Sequence, residues 1–249
     1  MKLALVTGGT QRLGAAIAAR LAAEGWALAL HYRSQPELDD VLAHSLAKSG
    51  VRHERFAADL VDAEAPQLLF EAAERAFETP ITALVNSASM FGEDRLSDID
   101  AETLQSHFLV NAAAPTLLAK ELFARLPQDR DGAIVNLLDQ RLAQPHGDNL
   151  AYTISKYALA GQTEILSRAL APRVRVNAVS PGLTLPTPNY DESVLGAARR
   201  AMPLQRLPTP EEVADAVAWL IGADSVTGQT IAVDGGARHV SFTRDFDRL

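Results

Sequence analysis

Tyr152 and Lys156 lie four residues apart in a stretch with helical periodicity, and together they could share a proton. A spacing of four residues places both side chains on one face of an α-helix. A lysine ammonium beside a phenol favours the phenolate, so we expect the pKa of Tyr152 to lie below its usual value of about 10. A tyrosine tuned in this way can donate a proton to a reacting group. The alternative is an exposed Tyr–Lys pair on a surface helix, which has no chemical role.

A second chemical signal lies near the start of the chain, in Thr7-Gly8-Gly9-Thr10-Gln11-Arg12-Leu13-Gly14. This stretch follows the apolar run Leu3–Val6 and precedes a helical pattern. Glycine lets the backbone turn tightly and approach a pyrophosphate, which the amides and dipole of a helix N-terminus attract. Two glycines after a strand can also form a simple turn. The stretch therefore predicts a dinucleotide site only if the surrounding elements agree.

The elements that must position these residues alternate between strands and helices. Runs suited to strands buried on both faces occur at Leu3–Val6, Ala27–Leu30, Ile81–Val85, Ala133–Leu137, Val174–Val179 and Thr230–Val233, with a weaker candidate at Arg52–Ala57. One predicted helix ends before Gly25, and another begins at Pro210. The alternation predicts right-handed βαβ units in a single α/β domain over residues 1–249. We expect a doubly wound parallel sheet of about seven strands with helices on both faces.

Composition narrows the functional class. The chain has 249 residues and no cysteine, which excludes disulfides, thiolate catalysis and cysteine-ligated metals. A net charge of −8 argues against a general nucleic-acid binder. No apolar run is long enough to cross a membrane, and Met1-Lys2 leads directly into a strand pattern, so we expect a cytoplasmic protein. The six histidines show no paired ligand spacing, so we predict no metal site. His146 lies in the loop between Asp139 and Tyr152, where we expect it to face solvent, the alternative being that it lines the pocket.

In this order, the motifs resemble those of the short-chain dehydrogenase/reductase family from Leu3 to about Gly236. The family's Thr-Gly-x-x-x-Gly-x-Gly motif matches residues 7–14, with Arg12 in place of the middle glycine. Further matches are Asp59-Leu60, Asn86-Ser87-Ala88, Asn111, Tyr152-x-x-x-Lys156, Pro181-Gly182 and Val233-Asp234-Gly235-Gly236. The resemblance implies a Rossmann fold, a nicotinamide dinucleotide cofactor and a homotetramer.

The same resemblance assigns roles to individual residues. Tyr152 and Lys156 become the catalytic pair, Lys156 also binds the nicotinamide ribose, and Asn111 becomes the active-site asparagine. The residues matched to cofactor binding are Gly8, Thr10, Arg12, Leu13, His31, Tyr32, Arg33, Ser34, Asp59, Leu60, Asn86, Ser87, Ala88, Tyr152, Lys156, Pro181, Gly182 and Thr184. Residues 184–200 are expected to form the substrate loop, in which Pro186, Pro188 and Asn189 obscure the pattern.

The segment after the second predicted strand indicates the choice of cofactor. Enzymes that use NAD commonly place a carboxylate there to bind the ribose 2′-hydroxyl. This chain has His31-Tyr32-Arg33-Ser34 instead, with no acidic residue. Arg33, Ser34 and Arg12 can donate hydrogen bonds to a 2′-phosphate, so we predict NADPH. The alternative is that Arg33 only lies on the surface.

The resemblance to the family leads us to expect a serine about a dozen residues before Tyr152. Asp139 occupies that position. A hydroxyl can donate to a carbonyl oxygen, whereas an ionised carboxylate has no proton to donate. A carboxylate is better suited to accept N–H bonds or, if burial raises its pKa, to pass a proton to nitrogen. The alternative is that Asp139 only caps a turn.

Within the family, an aspartate at this position points to the pteridine reductases and the related bacterial dihydromonapterin reductases. The Arg12 substitution and the His31–Ser34 segment are similar to those of this subgroup. Asn86-Ser87-Ala88-Ser89-Met90-Phe91 resembles its pterin-contacting loop. The resemblance implies that Ser89 binds the ligand, that Phe91 stacks on it opposite the nicotinamide, and that Arg12 reaches both the pyrophosphate and the pterin.

The sequence thus favours hydride transfer from NADPH to the C=N carbon of a pterin-like small molecule, a dihydropterin giving a tetrahydropterin. Asp139 and Tyr152, with water, would deliver the proton to the ring nitrogen, while Lys156 positions Tyr152 and the ribose. Two alternatives stay open. One is a reductase of ketone or ketoacyl substrates, and the other is a dinucleotide-binding sensor or scaffold without catalysis.

Overall fold

The computed structural model describes residues 1–185 and 190–245 and arranges the predicted strands in one sheet. The strands are β1 (Leu3–Thr7), β2 (Ala27–Tyr32), β3 (His53–Ala57), β4 (Ala83–Asn86), β5 (Gly132–Leu137), β6 (Val174–Pro181) and β7 (Thr230–Val233). Their order is β3-β2-β1-β4-β5-β6-β7, and every neighbouring pair is parallel. The weak candidate at Arg52–Ala57 is the edge strand β3, whose alternating exposure explains its weak apolar signal.

Helices cover both faces of this sheet, which confirms the doubly wound α/β fold. They are α1 (Arg12–Ala23), α2 (Asp40–Ser49), α3 (Ala65–Phe77), α4 (Ala101–Phe108), α5 (Ala114–Arg125), α6 (Leu150–Ala169), α7 (Glu192–Ala201) and α8 (Pro210–Gly222). On one face, α1, α2 and α8 pack apolar side chains on the sheet. On the other face, α3 and α5 contribute a second apolar layer around Phe70 and Leu118.

Local sequence chemistry sets the ends of several helices. Gly25 follows the last turn of α1 with φ +80°, a conformation that glycine adopts without a steric cost. At the start of α8, Thr209 and Glu212 form a reciprocal capping box, with Pro210 at the first helical position. Helix α7 occupies the second half of the expected substrate loop, whereas Pro186, Pro188 and Asn189 lie outside the described residues.

The carboxyl ends of the central strands bring the sequence motifs to one edge of the sheet. Thr7 of β1 pairs in register with Asn86 of β4, and Asn86 pairs with Asn136 of β5. The strand order reverses between β1 and β4, and ligands of open α/β sheets bind in the crevice at such a switch point. The glycine-rich turn, the loop after β4 and Asp139 all follow strands at this edge.

Two features are absent from residues 1–185 and 190–245, a membrane-spanning helix and a cluster of metal-ligating side chains. None of their helices is long and apolar enough to cross a membrane. Nor do they contain a group of three or more His, Cys, Asp or Glu residues arranged to hold a metal ion.

Gly14 should be indispensable to the turn between β1 and α1. A Cβ at this position would lie 2.0 Å from the carbonyl oxygen of Gly8, so Gly14→Ala must displace the turn. We expect Gly14→Ala to lower the free energy of unfolding by about 1–3 kcal/mol in a denaturant titration. Gly161→Ala is the matched control, because Gly161 lies inside α6 with no atom within 4 Å of an added Cβ. That change should raise stability by up to about 1 kcal/mol, and equal stabilities of the two variants would contradict the prediction.

Candidate active site

A continuous cleft runs along the carboxyl edge of the sheet, in two parts of about 490 and 560 Å³. The parts share Gly8, Gln11, Arg12, Ala88, Ser89 and Phe91. The first, here the β2 part, extends to Thr10, His31, Tyr32, Arg33, Ser34, Gln35, Asp59, Leu60, Met90 and Val110. The second, here the β5 part, extends to Leu13, Gly14, Ser87, Leu138, Asp139, Gln140, Arg141, Tyr152, Pro181, Gly182, Leu183, Thr184, Leu185 and Tyr190. Most predicted site residues therefore line one cleft.

The glycine-rich turn is held against the loop after β4. Gly8 has φ +61°, and a Cβ there would lie 3.1 Å from the Cα of Ala88. The hydroxyl of Thr7 accepts hydrogen bonds from the backbone N–H groups of Ser87 and Ala88, both at 3.0 Å. The turn leads directly into the N-terminus of α1. A turn without side-chain bulk beside a helix N-terminus fits the pyrophosphate of a dinucleotide.

His31 supports this turn from below. Its Nδ1 accepts a hydrogen bond from the backbone N–H of Gly8 at 3.1 Å, and its Nε2 lies 3.1 Å from the carbonyl oxygen of Ala58. An accepting Nδ1 leaves the ring proton on Nε2, which then donates to Ala58. Burial lowers the pKa of His31, so the ring is neutral at pH 7. His31 thus fixes the turn to the chain after β3.

The far corner of the β2 part carries positive charge. Arg33 and Ser34 are exposed, and no acidic residue lies between His31 and Gln35. Asp59 also lines this part, but one of its carboxylate oxygens accepts the backbone N–H of Val61 at 3.1 Å. The corner therefore suits a phosphate better than a ribose hydroxyl that needs a carboxylate acceptor.

In the β5 part, the phenol of Tyr152 donates a hydrogen bond to Oδ2 of Asp139 at 2.8 Å. Lys156 lies one turn further along α6, where its Nζ donates to the carbonyl oxygen of Leu137 at 2.7 Å. The Lys156 Nζ is 5.6 Å from the centroid of the Tyr152 ring. The two side chains therefore share one face of α6, as their spacing predicted, and they contact the end of β5 and the residue Asp139 that follows it.

The expected direction of the Tyr152 pKa was wrong. Burial and the nearby carboxylate of Asp139 raise the pKa of Tyr152 well above its usual value. Lys156 does not offset them, because its ammonium is directed to a backbone carbonyl and its own burial lowers its pKa to about 8. The side chain of Tyr152 is consequently a protonated phenol rather than a phenolate.

Asp139 caps a turn and also contacts Tyr152. Its Oδ1 accepts the backbone N–H of Arg141 at 2.8 Å and caps the short 3₁₀ turn Gln140–Leu142. Its other oxygen, Oδ2, accepts the Tyr152 phenol at the cleft surface. The turn cap thus leaves the second oxygen to accept the Tyr152 hydroxyl.

Arg141 lines the cleft beside Asp139 and Tyr152, and the sequence analysis did not single it out. Its guanidinium is buried, and Nε lies 3.5 Å from Oδ1 of Asp139. The same group donates hydrogen bonds to the side chains of Asn149 and Asp245, each at 3.0 Å. It also lies 5.3 Å from the centroid of the Tyr152 ring. Arginine is usually exposed, so nothing in the local pattern predicts that this one is buried.

Phe91 is half exposed and meets Tyr152 edge to face, with centroids 4.9 Å apart and an interplanar angle of 75°. Asn111 lies in a π-helical turn between α4 and α5, a feature common at functional sites. Its amide donates to the carbonyl oxygen of Met90 at 2.8 Å and to Ser155 at 2.9 Å, and its oxygen accepts from the Ser89 hydroxyl at 3.2 Å. Asn111 thus anchors the loop that carries Ser89 and Phe91 into the cleft.

Some predicted residues lie elsewhere than expected. Asn86, Asn111 and Lys156 are buried behind the cleft surface, and Asn86 donates to Asn136 at 2.8 Å. His146 does not face solvent as predicted, because its ring is largely buried beside Asp148. Desolvation is the main cause that lowers the pKa of His146.

Known proteins resemble this chain over almost its whole length. Residues 9–238 match the family model described as Enoyl-(Acyl carrier protein) reductase. Pteridine reductase 1 of Leishmania tarentolae is 34% identical over 94% of this chain and 95% of its own length. Glucose 1-dehydrogenase 2 of Bacillus subtilis (strain 168) is 30% identical over 94% of each chain.

A solved structure shows the same similarity. FolM alternative dihydrofolate reductase 1 from Brucella suis, solved in complex with NADP, superposes with a TM-score of 0.87. It is 36% identical, and the match covers 98% of both chains. This chain therefore belongs to the short-chain dehydrogenase/reductase family of NAD(P)-dependent oxidoreductases.

Proposed function

We propose that the protein is an NADPH-dependent pterin reductase that converts a dihydropterin-like substrate to its tetrahydro form. The observation that carries this proposal is the 2.8 Å hydrogen bond from the Tyr152 phenol to Asp139 at the cleft surface. The similarity to pteridine reductase 1 and to the NADP complex of FolM supports the same activity. Bound NADPH supplies a hydride to the substrate carbon.

The cleft residues divide the binding of the cofactor between them. The turn at Gly8 and the N-terminus of α1 would hold the pyrophosphate, while Arg33 and Ser34 would bind the 2′-phosphate. Arg12 begins α1 and lines both parts of the cleft, so it can reach the pyrophosphate and the substrate. Lys156 would bind the nicotinamide ribose, as the family resemblance implies.

The proton for the ring nitrogen would come from Tyr152 through Asp139. Addition of hydrogen across C=N needs one hydride on carbon and one proton on nitrogen. The raised pKa of Tyr152 keeps its proton available, and its O–H already points at Oδ2 of Asp139. Asp139 would take the phenol proton on Oδ2 and pass a proton, directly or through water, to nitrogen, so that the carboxylate is ionised before and after the step and Tyr152 ends as a phenolate. An ionised carboxylate also accepts the N–H groups that a pterin presents.

Phe91 and Ser89 would shape the substrate slot. The half-exposed ring of Phe91 is available for stacking on a flat heterocycle, and its edge contact with Tyr152 places that slot beside the proton donor. Ser89 is exposed in the same loop and can bind the polar edge of the ligand. Asn111 would keep the loop in this position.

Cofactor preference tests the charged corner of the cleft. We expect the unmodified enzyme to favour NADPH, and we expect Arg33→Asp to lower the NADPH-to-NADH ratio of kcat/KM by about tenfold or more. Arg130→Asp is the control, because Arg130 is equally charged but exposed in the loop that precedes β5 at the opposite edge of the sheet. Equal kcat/KM values for the two cofactors in the unmodified enzyme would refute the assignment.

Removal of the Tyr152 hydroxyl should stop chemistry without loss of cofactor. We expect Tyr152→Phe to lower kcat by about a hundredfold or more, with the NADPH dissociation constant changed by less than about twofold. Tyr157→Phe is the matched control on α6, since Tyr157 is exposed and donates to the carbonyl oxygen of Leu142. Normal turnover by Tyr152→Phe would remove Tyr152 from the mechanism.

Asp139→Ser should separate reduction of C=N from reduction of C=O. Serine cannot carry a proton to nitrogen as a carboxyl group can, so kcat/KM for a dihydropterin should fall about a hundredfold. Ketone reduction should be unchanged or improved, because a hydroxyl can donate to a carbonyl oxygen. Asp139→Asn tests the same point with the shape conserved and should be equally damaging to pterin reduction. Parallel losses on both substrate types would argue against a proton route through Asp139.

A further inference from the structure

Asp245 lies inside the wall of the cleft, far from Asp139 in the sequence. Its side chain is buried, and its Oδ2 accepts a hydrogen bond from Nη2 of Arg141 at 3.0 Å. Its Oδ1 accepts a hydrogen bond from the hydroxyl of Tyr190. Its backbone N–H donates to Oδ2 of Asp148 at 3.1 Å. The carboxylate therefore connects the segments of Arg141 and Tyr190, and the backbone of Asp245 ties its own segment to Asp148.

Two of these partners line the β5 part of the cleft. Arg141 lies in the turn after β5, next to Asp139, whereas Tyr190 follows β6 and precedes α7. Asp245 itself does not line either part of the cleft. Its hydrogen bonds reach the reaction site through Arg141 and Tyr190, and its charge also acts on Tyr152 from a distance.

The neighbouring segments fix Asp245 in place. Arg244 donates to both carboxylate oxygens of Asp148, from Nε at 2.9 Å and from Nη2 at 3.2 Å. Arg95 lies 3.4 Å from Asp148, and the ring of His146 lies 4.0 Å from it. Asp148, held by these contacts, in turn accepts the backbone N–H of Asp245.

The charges that face Tyr152 come from three elements. Lys156 lies on α6 itself, Asp139 and Arg141 follow β5, and Asp245 lies in the segment after β7. Arg141 lies between the two carboxylates, with contacts to both. Loss of the negative charge of Asp245 would leave the positive charge of Arg141 less balanced beside the phenol.

We propose that Asp245 is a positioning residue of the reductase site, which holds Arg141 against Asp139 and fixes Tyr190 in the lining of the cleft. The inference rests on the proton route proposed above for Tyr152 and Asp139. It assigns a specific role to a residue that matches no motif of the sequence. Loss of Asp245 would then have two separate effects, one on proton transfer through Arg141 and one on substrate binding through Tyr190.

The test is the pH profile of kcat for NADPH oxidation. Proton donation fails as the pH rises through the pKa of the donor, and removal of a negative charge lowers that pKa. Asp245→Asn should therefore move the high-pH limb of kcat to lower pH by roughly half a pH unit, because Asp245 acts at one remove. Asp245→Glu, which keeps the charge, should return the limb towards that of the unmodified enzyme. Asp215→Asn is the control, since Asp215 is exposed and pairs with Arg20.

Tyr190→Phe distinguishes the two effects. It removes one donor to Asp245 but leaves the contact between Asp245 and Arg141. We expect KM for the substrate to rise by roughly threefold to tenfold, with the pH limb of kcat unmoved. Asp245→Asn should show both changes. A limb that stays in place in Asp245→Asn, with an equal loss of kcat at every pH, would overturn the proposal and leave Asp245 as a stabilising residue only.

The substrate is chosen so that this test does not depend on the pterin assignment. The profiles are measured on whichever compound of a panel of dihydropterins and ketones is reduced fastest. If only ketones are reduced, the proposed function fails, yet the shift of the limb still tests Asp245 because Tyr152 donates the proton in either reaction. Thermal unfolding of each variant shows whether a change in kcat reflects the fraction of folded enzyme.

Discussion

The hydrogen bond between the Tyr152 phenol and the Asp139 carboxylate joins the two elements on which the reaction site depends. Tyr152 lies in the first turn of α6, and Asp139 follows the buried strand β5. Lys156 makes a second connection between the same elements through the carbonyl oxygen of Leu137. The packing of α6 over the end of the sheet therefore fixes Tyr152, the proposed proton donor, and burial there keeps the phenol protonated.

The two parts of the cleft differ in how they use charge. Neutral groups support the β2 part from below, namely the His31 ring and the Thr7 hydroxyl, and its charged arginines are exposed. Such a surface can receive phosphates, which bring their own negative charge. In the β5 part, Arg141 is buried between the carboxylates of Asp139 and Asp245. Paired buried charges resist rearrangement, which suits a site where one proton must move between fixed groups.

The fold and much of the site could be predicted from the sequence, because short-range patterns encode them. The seven strands follow apolar runs, and the residue types at Gly8 and Tyr152 carry their own chemical signals. The role of Arg141 could not be predicted, since its partner Asp245 is 104 residues away and no periodicity relates the two. The direction of the Tyr152 pKa shift was predicted wrongly, because it depends on the burial of the phenol and on which group the Lys156 ammonium contacts. Cytoplasmic location and homotetrameric assembly stay predictions.

The most direct test of the account is NADPH oxidation by the unmodified enzyme with a dihydropterin and a panel of ketones, measured side by side. If the Tyr152–Asp139 pair serves to protonate nitrogen, kcat/KM for the dihydropterin should exceed that for any ketone by about tenfold or more. Rapid reduction of ketones with no turnover of any pterin would contradict the account and identify the protein as a carbonyl reductase.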